Sequence, residues 1–316
     1  MSIENKYVDI FLNVSQRAAL KSFYHVGKDN KIAADQAAVD SMRKNLNKIN
    51  MNGRIVIGEG ELDEAPMLFI GEEVGTKNGP NFDIAVDPLE GTNFAAKNLP
   101  GALSVLVISE KNNLLNAPET YMNKIAVGRN IKKNVVDLDF SVKKNIENLA
   151  DFKNKNPEQL TACILDRPRH KKIIDNLSEL KVKTKLITDG DVSGALLVSD
   201  EKYGVDIFLG IGGGPEGVLA ASALCAYECH FQGRFIFDNE KDISRAKKMG
   251  IKELDKKYNI NEIVSGDSIF CATGITSGDL VNGIELSHDT FISETLVTHK
   301  SNNFKKIIRQ TNKINH

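Results

Sequence analysis

The sequence predicts a layered α/β fold. Short strand-like runs recur along the chain, each entering a loop rich in glycine and charge, and two long stretches near the amino end space their apolar residues as helices do. The size agrees: 316 residues, 41% of them hydrophobic and 26% charged, can bury a sizeable core and leave room for two domains.

Residues 4–24 put Val8, Phe11, Val14 and Ala18 on one helical face and stop at Gly27. A second helix is predicted over 32–49 on the stripe Val39, Met42, Leu46 and Ile49. Extended back by four, that stripe meets Asp35, and an inward carboxylate needs a positive or hydrogen-bonding partner. Strand-like runs follow at 54–57, before GEGELDE, and at 82–86, before DPLEGT. Residues 101–128 read as adjacent strand segments, which gives the first half an antiparallel or mixed sheet. The polar stretch at 140–160 is taken as a boundary between an α+β half, 1–140, and an α/β half, 141–316.

Beyond it, the run 162–165 leads to Asp166, Arg167, Pro168 and Arg169; 184–188 leads to Asp189, Gly190 and Asp191; 205–209 leads to a glycine turn, GIGGGPEG, that enters a helix. Ligands of α/β sheets collect beyond the carboxyl ends of strands, so these loops lie where a site belongs. The basic tail from Lys300 reads as a solvated end, and His170 as an ordinary surface histidine.

A net charge of −1 argues against a general nucleic-acid binder. The apolar runs at 102–108 and 218–227 fall short of the ~18 residues that span a bilayer. The start, MSIENKYVDI, lacks the basic and apolar regions of a secretory signal, so a cytoplasmic protein with no membrane partner is expected. Cys163, Cys225, Cys229 and Cys271 form no CxxC pair and are expected to be reduced. Cys225, Cys229 and His230 fit a helical core better than a soft-metal site, since no fourth ligand is near.

Charge is segregated. Residues 55–96 hold nine acids against one base, Lys77, a net −8, whereas the other 274 residues hold 40 bases and 33 acids, a net +7. Within that window Asp87-Pro88-Leu89-Glu90-Gly91-Thr92 follows a strand, and its turn can aim the Asp87 and Glu90 carboxylates and the Leu89 carbonyl at one point. Such hard oxygens suit Mg²⁺ or Mn²⁺. Gly91 allows close phosphate approach, and Thr92 either caps the next helix or orients a water; the plainer alternative is an acidic turn. Glu59, Glu61, Asp63 and Glu64 fall within six residues after another strand, where mutual repulsion calls for cations unless the loop is simply solvated.

The glycine turn is neither a dinucleotide fingerprint nor a P-loop. It reads as backbone contact to phosphate with Glu216 reaching a metal, or as a tight strand-to-helix connection. Arg167 and Arg169 match phosphate geometry and suggest a second phosphate site, or else are surface arginines. Asp189 and Asp191 suit sugar hydroxyls, although Asp191 serves equally as a helix cap.

On these motifs the chain resembles the class II fructose-1,6-bisphosphatases, of the lithium-sensitive, metal-dependent sugar phosphatase superfamily. The likeness runs through IVIGEGELDEAPMLFIGEEVG, DIAVDPLEGTNFAAK, LNAPETYM, PRH, TDGDV, GIGGGPEGV, FCATGITSGDL and ETLV. It implies an αβαβα sandwich, assembled as a homodimer or homotetramer, that hydrolyses the 1-phosphate of fructose 1,6-bisphosphate with Mg²⁺ or Mn²⁺. It implies one metal site at Asp35 and Glu59 and a second at Asp87, Glu90 and Glu216. Asp63 and Thr92 would position and deprotonate the attacking water, and Lys31 would contact the departing phosphate. Glu90, Gly91, Thr92, Tyr121, Arg167, Pro168, Arg169, Asp189, Gly190, Asp191 and Gly213 would meet the substrate.

Three positions depart from the family pattern: Asp29-Asn30 where a Gly-Asp pair is common, Arg167 for lysine, and His299 where arginine is frequent. These bear on substrate handling more than on metal binding. A sedoheptulose bisphosphatase or an inositol-phosphate type phosphatase shares the metal motif, and a non-catalytic phosphosugar sensor would not need the water-activating pair.

Overall fold

A computed structural model describes residues 2–58 and 67–314. They form a mixed α/β fold in two compact units, one of residues up to Leu114 together with those from Ser265 on, the other Leu115–Val264. Elements are numbered along the chain.

The first unit contains α1 (Lys6–Phe23), α2 (Lys31–Leu46), β1 (Asn52–Ile57), β2 (Glu73–Val74), β3 (Asn81–Glu90), α3 (Thr92–Lys97), β4 (Leu103–Glu110), β11 (Ser268–Gly274), β12 (Glu285–Ser287), β13 (Thr290–His299) and β14 (Phe304–Lys313). Its sheet runs β12-β13-β11-β4-β3-β1-β2, with β14 also on β13. Among the described residues only β1 and β3 pair in parallel in this sheet, so the expected mixed sheet is present. Both predicted helices form, and Val39, Met42 and Leu46 are buried with Phe11, Val14 and Ala18 in one core with Phe82 and Ile84 of β3. The edge of the Phe82 ring meets Tyr7 at 5.0 Å between centroids.

The second unit contains β5 (Tyr121–Val127), α4 (Val142–Phe152), β6 (Thr161–Leu165), α5 (Lys171–Glu179), β7 (Lys183–Ile187), α6 (Asp191–Leu196), β8 (Ile207–Gly213), α7 (Gly214–Ala226), β9 (His230–Ile236), α8 (Glu240–Lys248), β10 (Lys257–Asn259) and α9 (Ile260–Ile263). Its sheet runs β10-β9-β5-β8-β6-β7. Strands β6, β7 and β8 are mutually parallel, and β5 runs against β8. The ends of β6, β7 and β8 and the start of β5 therefore share one edge of this sheet.

Several expectations are corrected. The strands within 101–128 are not neighbours: β4 pairs with β3 and β11, and β5 with β8 and β9. The units do not follow the halves 1–140 and 141–316, because β11 pairs back onto β4. The polar stretch at 140–160 is no linker: Ser141 caps α4, and Ile146, Leu149 and Ala150 bury one of its faces. The basic tail is β14, paired with β13 from Phe304↔His299 to Lys313↔Thr290, and its lysines suit an edge strand. His299 is fully buried, with Asp267, Ser301 and Asn302 on its ring nitrogens, so its side chain packs within the first unit. Among the described residues no helix is long and apolar enough to cross a membrane.

Candidate active site

In the first unit the predicted residues lie on the end of β3, on the start of α3 that follows it and on the first turns of α2. Pairing of β3 with β4 shifts register between Asp87↔Val105 and Glu90↔Leu103. Three residues on one strand span two on the other, a bulge that falls on Pro88, which has no N–H to give to the ladder, and Leu89. The bulge sets Asp87 and Glu90 on either side of Leu89, whose side chain anchors in a core with Ala34 and Ala38 of α2 and Phe94 of α3. Asp35 lies on α2 between those two alanines. Its Oδ1 and that of Asp87 are both buried, and Glu90 is 5% exposed.

Gly91 adopts φ 80°, left-handed backbone that glycine accepts without strain, and is itself the N-cap of α3. Thr92 is thus the first helical residue and not the cap. The Lys31 loop is well defined. Asn30 caps α2 by accepting from the Ala33 amide at 3.0 Å, and the amides of Gly27 and Asp29 donate to Ala95 and Ala96 of α3 at 2.9 Å. Asp29 sits at φ 51°, which Asp tolerates better than most residues. Asp29 and Asn30 thus supply a left-handed residue and a capping oxygen. Lys31 opens α2 as an exposed residue one turn before Asp35.

The predicted ligand Glu59 and the water-activating Asp63 lie outside the described residues. Among the described residues, no three carboxylate, imidazole or thiol side chains gather into a ligand set. The donor type around β3 fits a hard divalent cation, because Asp35, Asp87 and Glu90 offer carboxylate oxygens.

In the second unit the predicted substrate residues share the sheet edge described above. Tyr121 opens β5 directly opposite Gly213 at the end of β8. The turn after β6 stacks the Arg169 guanidinium on the Tyr121 ring at 4.8 Å, and Arg169 Nε donates to the Ile211 carbonyl at 2.8 Å. Pro168 opens the turn, and Arg167 Nη2 lies 3.9 Å from Asp189 Oδ1 beyond β7. Gly190, at φ 83°, is the N-cap of α6, so Asp191 is the first helical residue.

Two further corrections concern this edge. Gly210–Gly213 are not a turn but the last residues of β8, paired with β5 throughout. Their lack of side chains has a physical reason: a Cβ on Gly212 would occupy the place of the Asp191 carboxylate, and one on Gly213 that of the Glu216 carboxylate. The amides at the start of α7 are a poor phosphate cradle, since Gly214 N–H donates to Thr120 O at 2.8 Å and Pro215 has none. His170 is not a surface residue but wholly buried.

Sequence reasoning missed Lys124. Its side chain is 1% exposed, its ammonium is ion-paired with Asp191, and it donates to the Gly213 carbonyl at 2.6 Å. Burial pushes the Glu216 carboxyl above its ordinary range; the Lys124 charge pulls it back, and the charges of Asp191 and Asp189 oppose Lys124. The signal was present in strand alternation, which sets Lys124 between Met122 and Ala126 on a single buried face.

Hard-oxygen carboxylates in the one unit, and guanidinium groups of the kind that grip phosphate in the other, are the side-chain types that a metal-dependent phosphoric monoester hydrolase uses. Comparison with known proteins narrows the class. The family model described as "Bacterial fructose-1,6-bisphosphatase, glpX-encoded" matches residues 5–312. A protein of Trichodesmium erythraeum named D-fructose 1,6-bisphosphatase class 2/sedoheptulose 1,7-bisphosphatase is 41% identical over 311 residues, covering 90% of each chain. A Synechococcus protein of the same name is 40% identical over 315 residues, covering 95% of this chain and 94% of its own. A solved inositol monophosphatase-fructose 1,6 bisphosphatase aligns over 63% of this chain and 73% of its own at 11% identity and TM-score 0.36, so the assignment rests on the sequence relatives. The chain belongs to the class II fructose-1,6-bisphosphatase family.

Proposed function

We propose that this chain hydrolyses the 1-phosphate of fructose 1,6-bisphosphate to give fructose 6-phosphate and inorganic phosphate, as a cytoplasmic enzyme of gluconeogenesis working as a homodimer or homotetramer. The observation that carries the reading is the bulge at the end of β3, which holds Asp87 and Glu90 on either side of a buried Leu89. Asp35, Asp87, Glu90 and Glu216, the Leu89 carbonyl, and Glu59 are the proposed ligands of Mg²⁺ or Mn²⁺. Such ions, when bound, neutralise phosphate charge and make water more acidic.

The chain's own residues supply the rest. Lys31 takes the phosphate that leaves, and Gly91, with no side chain, admits it. Thr92 and Asp63 orient the attacking water and accept its proton. The water oxygen forms the new P–O bond while the bond from phosphorus to the sugar oxygen breaks, and that oxygen leaves with the electron pair and takes up a proton. Arg169, held over the Tyr121 ring, and Arg167 grip the other phosphate, with Asp189, Gly190, Asp191 and Gly213 on the sugar.

Phosphate release by wild type and Asp87→Asn, assayed across Mg²⁺ and Mn²⁺, tests this. The variant should fold and lose turnover; near-normal rates would sink the assignment. The relatives' names favour a second reading, in which sedoheptulose 1,7-bisphosphate is also hydrolysed. Parallel assays with both sugars decide it, and Arg169→Ala should impair two-phosphate sugars far more than one-phosphate sugars.

A further inference from the structure

His170 ends the turn that carries Arg167 and Arg169, and it is wholly buried. Its ring nitrogens have opposite partners. Nδ1 stands 2.6 Å from the Leu165 carbonyl, which can only accept, and Nε2 stands 2.7 Å from the Ile211 amide, which can only donate. Both bonds form only when the ring is neutral and carries its proton on Nδ1. Pairing of β6 with β8 stops at Cys163↔Phe208, so Ile211 lies beyond the last β6 partner. The arginine turn replaces the missing strand: His170 takes the Ile211 amide, and Arg169 Nε takes the Ile211 carbonyl at 2.8 Å. Gly210, at φ 152°, leaves room for the ring, since a Cβ there would stand 3.2 Å from Nε2.

We propose that His170 is a positioning residue that must be neutral to hold the arginine turn on β8, so that the grip on the second phosphate of the substrate weakens in acid through this ring. The inference rests on the reading of Arg169 as a phosphate contact. A protonated ring has no lone pair for the Ile211 amide and adds a buried positive charge. Two charges face it: Arg169 from its own turn, and Asp191 from α6, which Lys124 of β5 pairs. β6 brings the Leu165 carbonyl, and β8 brings Gly210 and the Ile211 amide. Burial holds the imidazole below its ordinary value, and the Arg169 charge acts in the same direction while Asp191 opposes it.

The test compares wild type, His170→Gln and Arg169→Ala with fructose 1,6-bisphosphate and Mg²⁺ from pH 8 to pH 5.5. A Gln carbonyl oxygen can accept from the Ile211 amide at any pH in that range. Substrate phosphate groups titrate in the same window, but equally for all three proteins. Wild-type KM should climb in acid by up to about tenfold more than that of His170→Gln, the scale of one lost hydrogen bond, with parallel kcat profiles. Superimposed KM profiles for those two proteins overturn the proposal. An Arg169→Ala KM equal to wild type at pH 8 overturns instead the reading of Arg169. Should His170→Gln fail to fold, imidazole nitrogen NMR of the wild type decides: a neutral Nδ1–H ring at pH 7.5 that loses this state on acidification supports the proposal, and an Nε2–H or already protonated ring refutes it.

Discussion

The Lys124 ammonium on β5 is ion-paired with the Asp191 carboxylate at the start of α6, both buried, and also donates to the Gly213 carbonyl of β8 at 2.6 Å. One lysine thereby joins three elements that carry predicted substrate contacts. Replacing it by Met keeps the stem but leaves a buried carboxylate without its cation, at a cost of about 3–5 kcal/mol. Lys124→Met should lower unfolding stability in urea by that amount, and Lys124→Met with Asp191→Asn should lose less than the sum of the two. Additive losses would show that the pair is not coupled.

The Arg169–Tyr121 stack makes a smaller claim. A guanidinium over an aromatic face contributes about 1 kcal/mol at a partly exposed site, or roughly fivefold in affinity. Tyr121→Ala should raise KM for a sugar bisphosphate about that much with kcat little changed, whereas Tyr121→Phe, which keeps the ring, should stay close to wild type. Equal KM increases in both variants would assign the effect to the hydroxyl.

Some of this was legible without coordinates and some was not. The Val39, Met42, Leu46 stripe and the Asp87-Glu90 motif are local patterns, set by helical period and by one proline, and both survive into the structure. The nature of β14 is not local: its lysines read as a solvated tail, and only pairing with β13 makes the segment a strand. Gly210–Gly213 resemble a turn because turns favour glycine, yet here glycine is needed to seat the Asp191 and Glu216 carboxylates beside an extended strand. Ile211 stands 41 residues from His170 and Asp191 67 residues from Lys124, separations that no periodicity reports.

The place of the Glu216 carboxylate over Gly213 yields a prediction about metal use. An alanine at 213 puts its methyl group where that carboxylate lies, so the carboxylate must swing away. Gly213→Ala should retain its thermal unfolding midpoint to within a few degrees yet need a higher Mg²⁺ or Mn²⁺ concentration for half-maximal phosphate release. An unchanged metal requirement would mean that Glu216 does not serve the ion.

Asp267 ties the start of the chain to the β13–β14 hairpin. Its Oδ2 accepts from the Ile3 amide at 2.7 Å and lies 3.0 Å from His299 Nε2, while Oδ1 accepts from the amides of Ser268 and Ser301, each at 2.9 Å. Burial alone would push this carboxyl up, but the hydrogen bonds from Ile3, His299 and Ser301 outweigh it and hold it below its ordinary value. A carboxyl with a folded value below its unfolded one, about 3.9, stabilises the fold fully above that pH and loses the contribution as pH falls through the folded value. Asp267→Asn turns one accepting oxygen into an NH₂ group that faces donors, at a cost of about 1–3 kcal/mol near neutral pH. The stability gap between wild type and Asp267→Asn should therefore be widest above about pH 5 and narrow steadily below pH 4. Urea unfolding of both proteins from pH 7 to pH 3 measures it, and a gap that stays constant in acid would show that the ionised carboxylate is not what holds the two segments together.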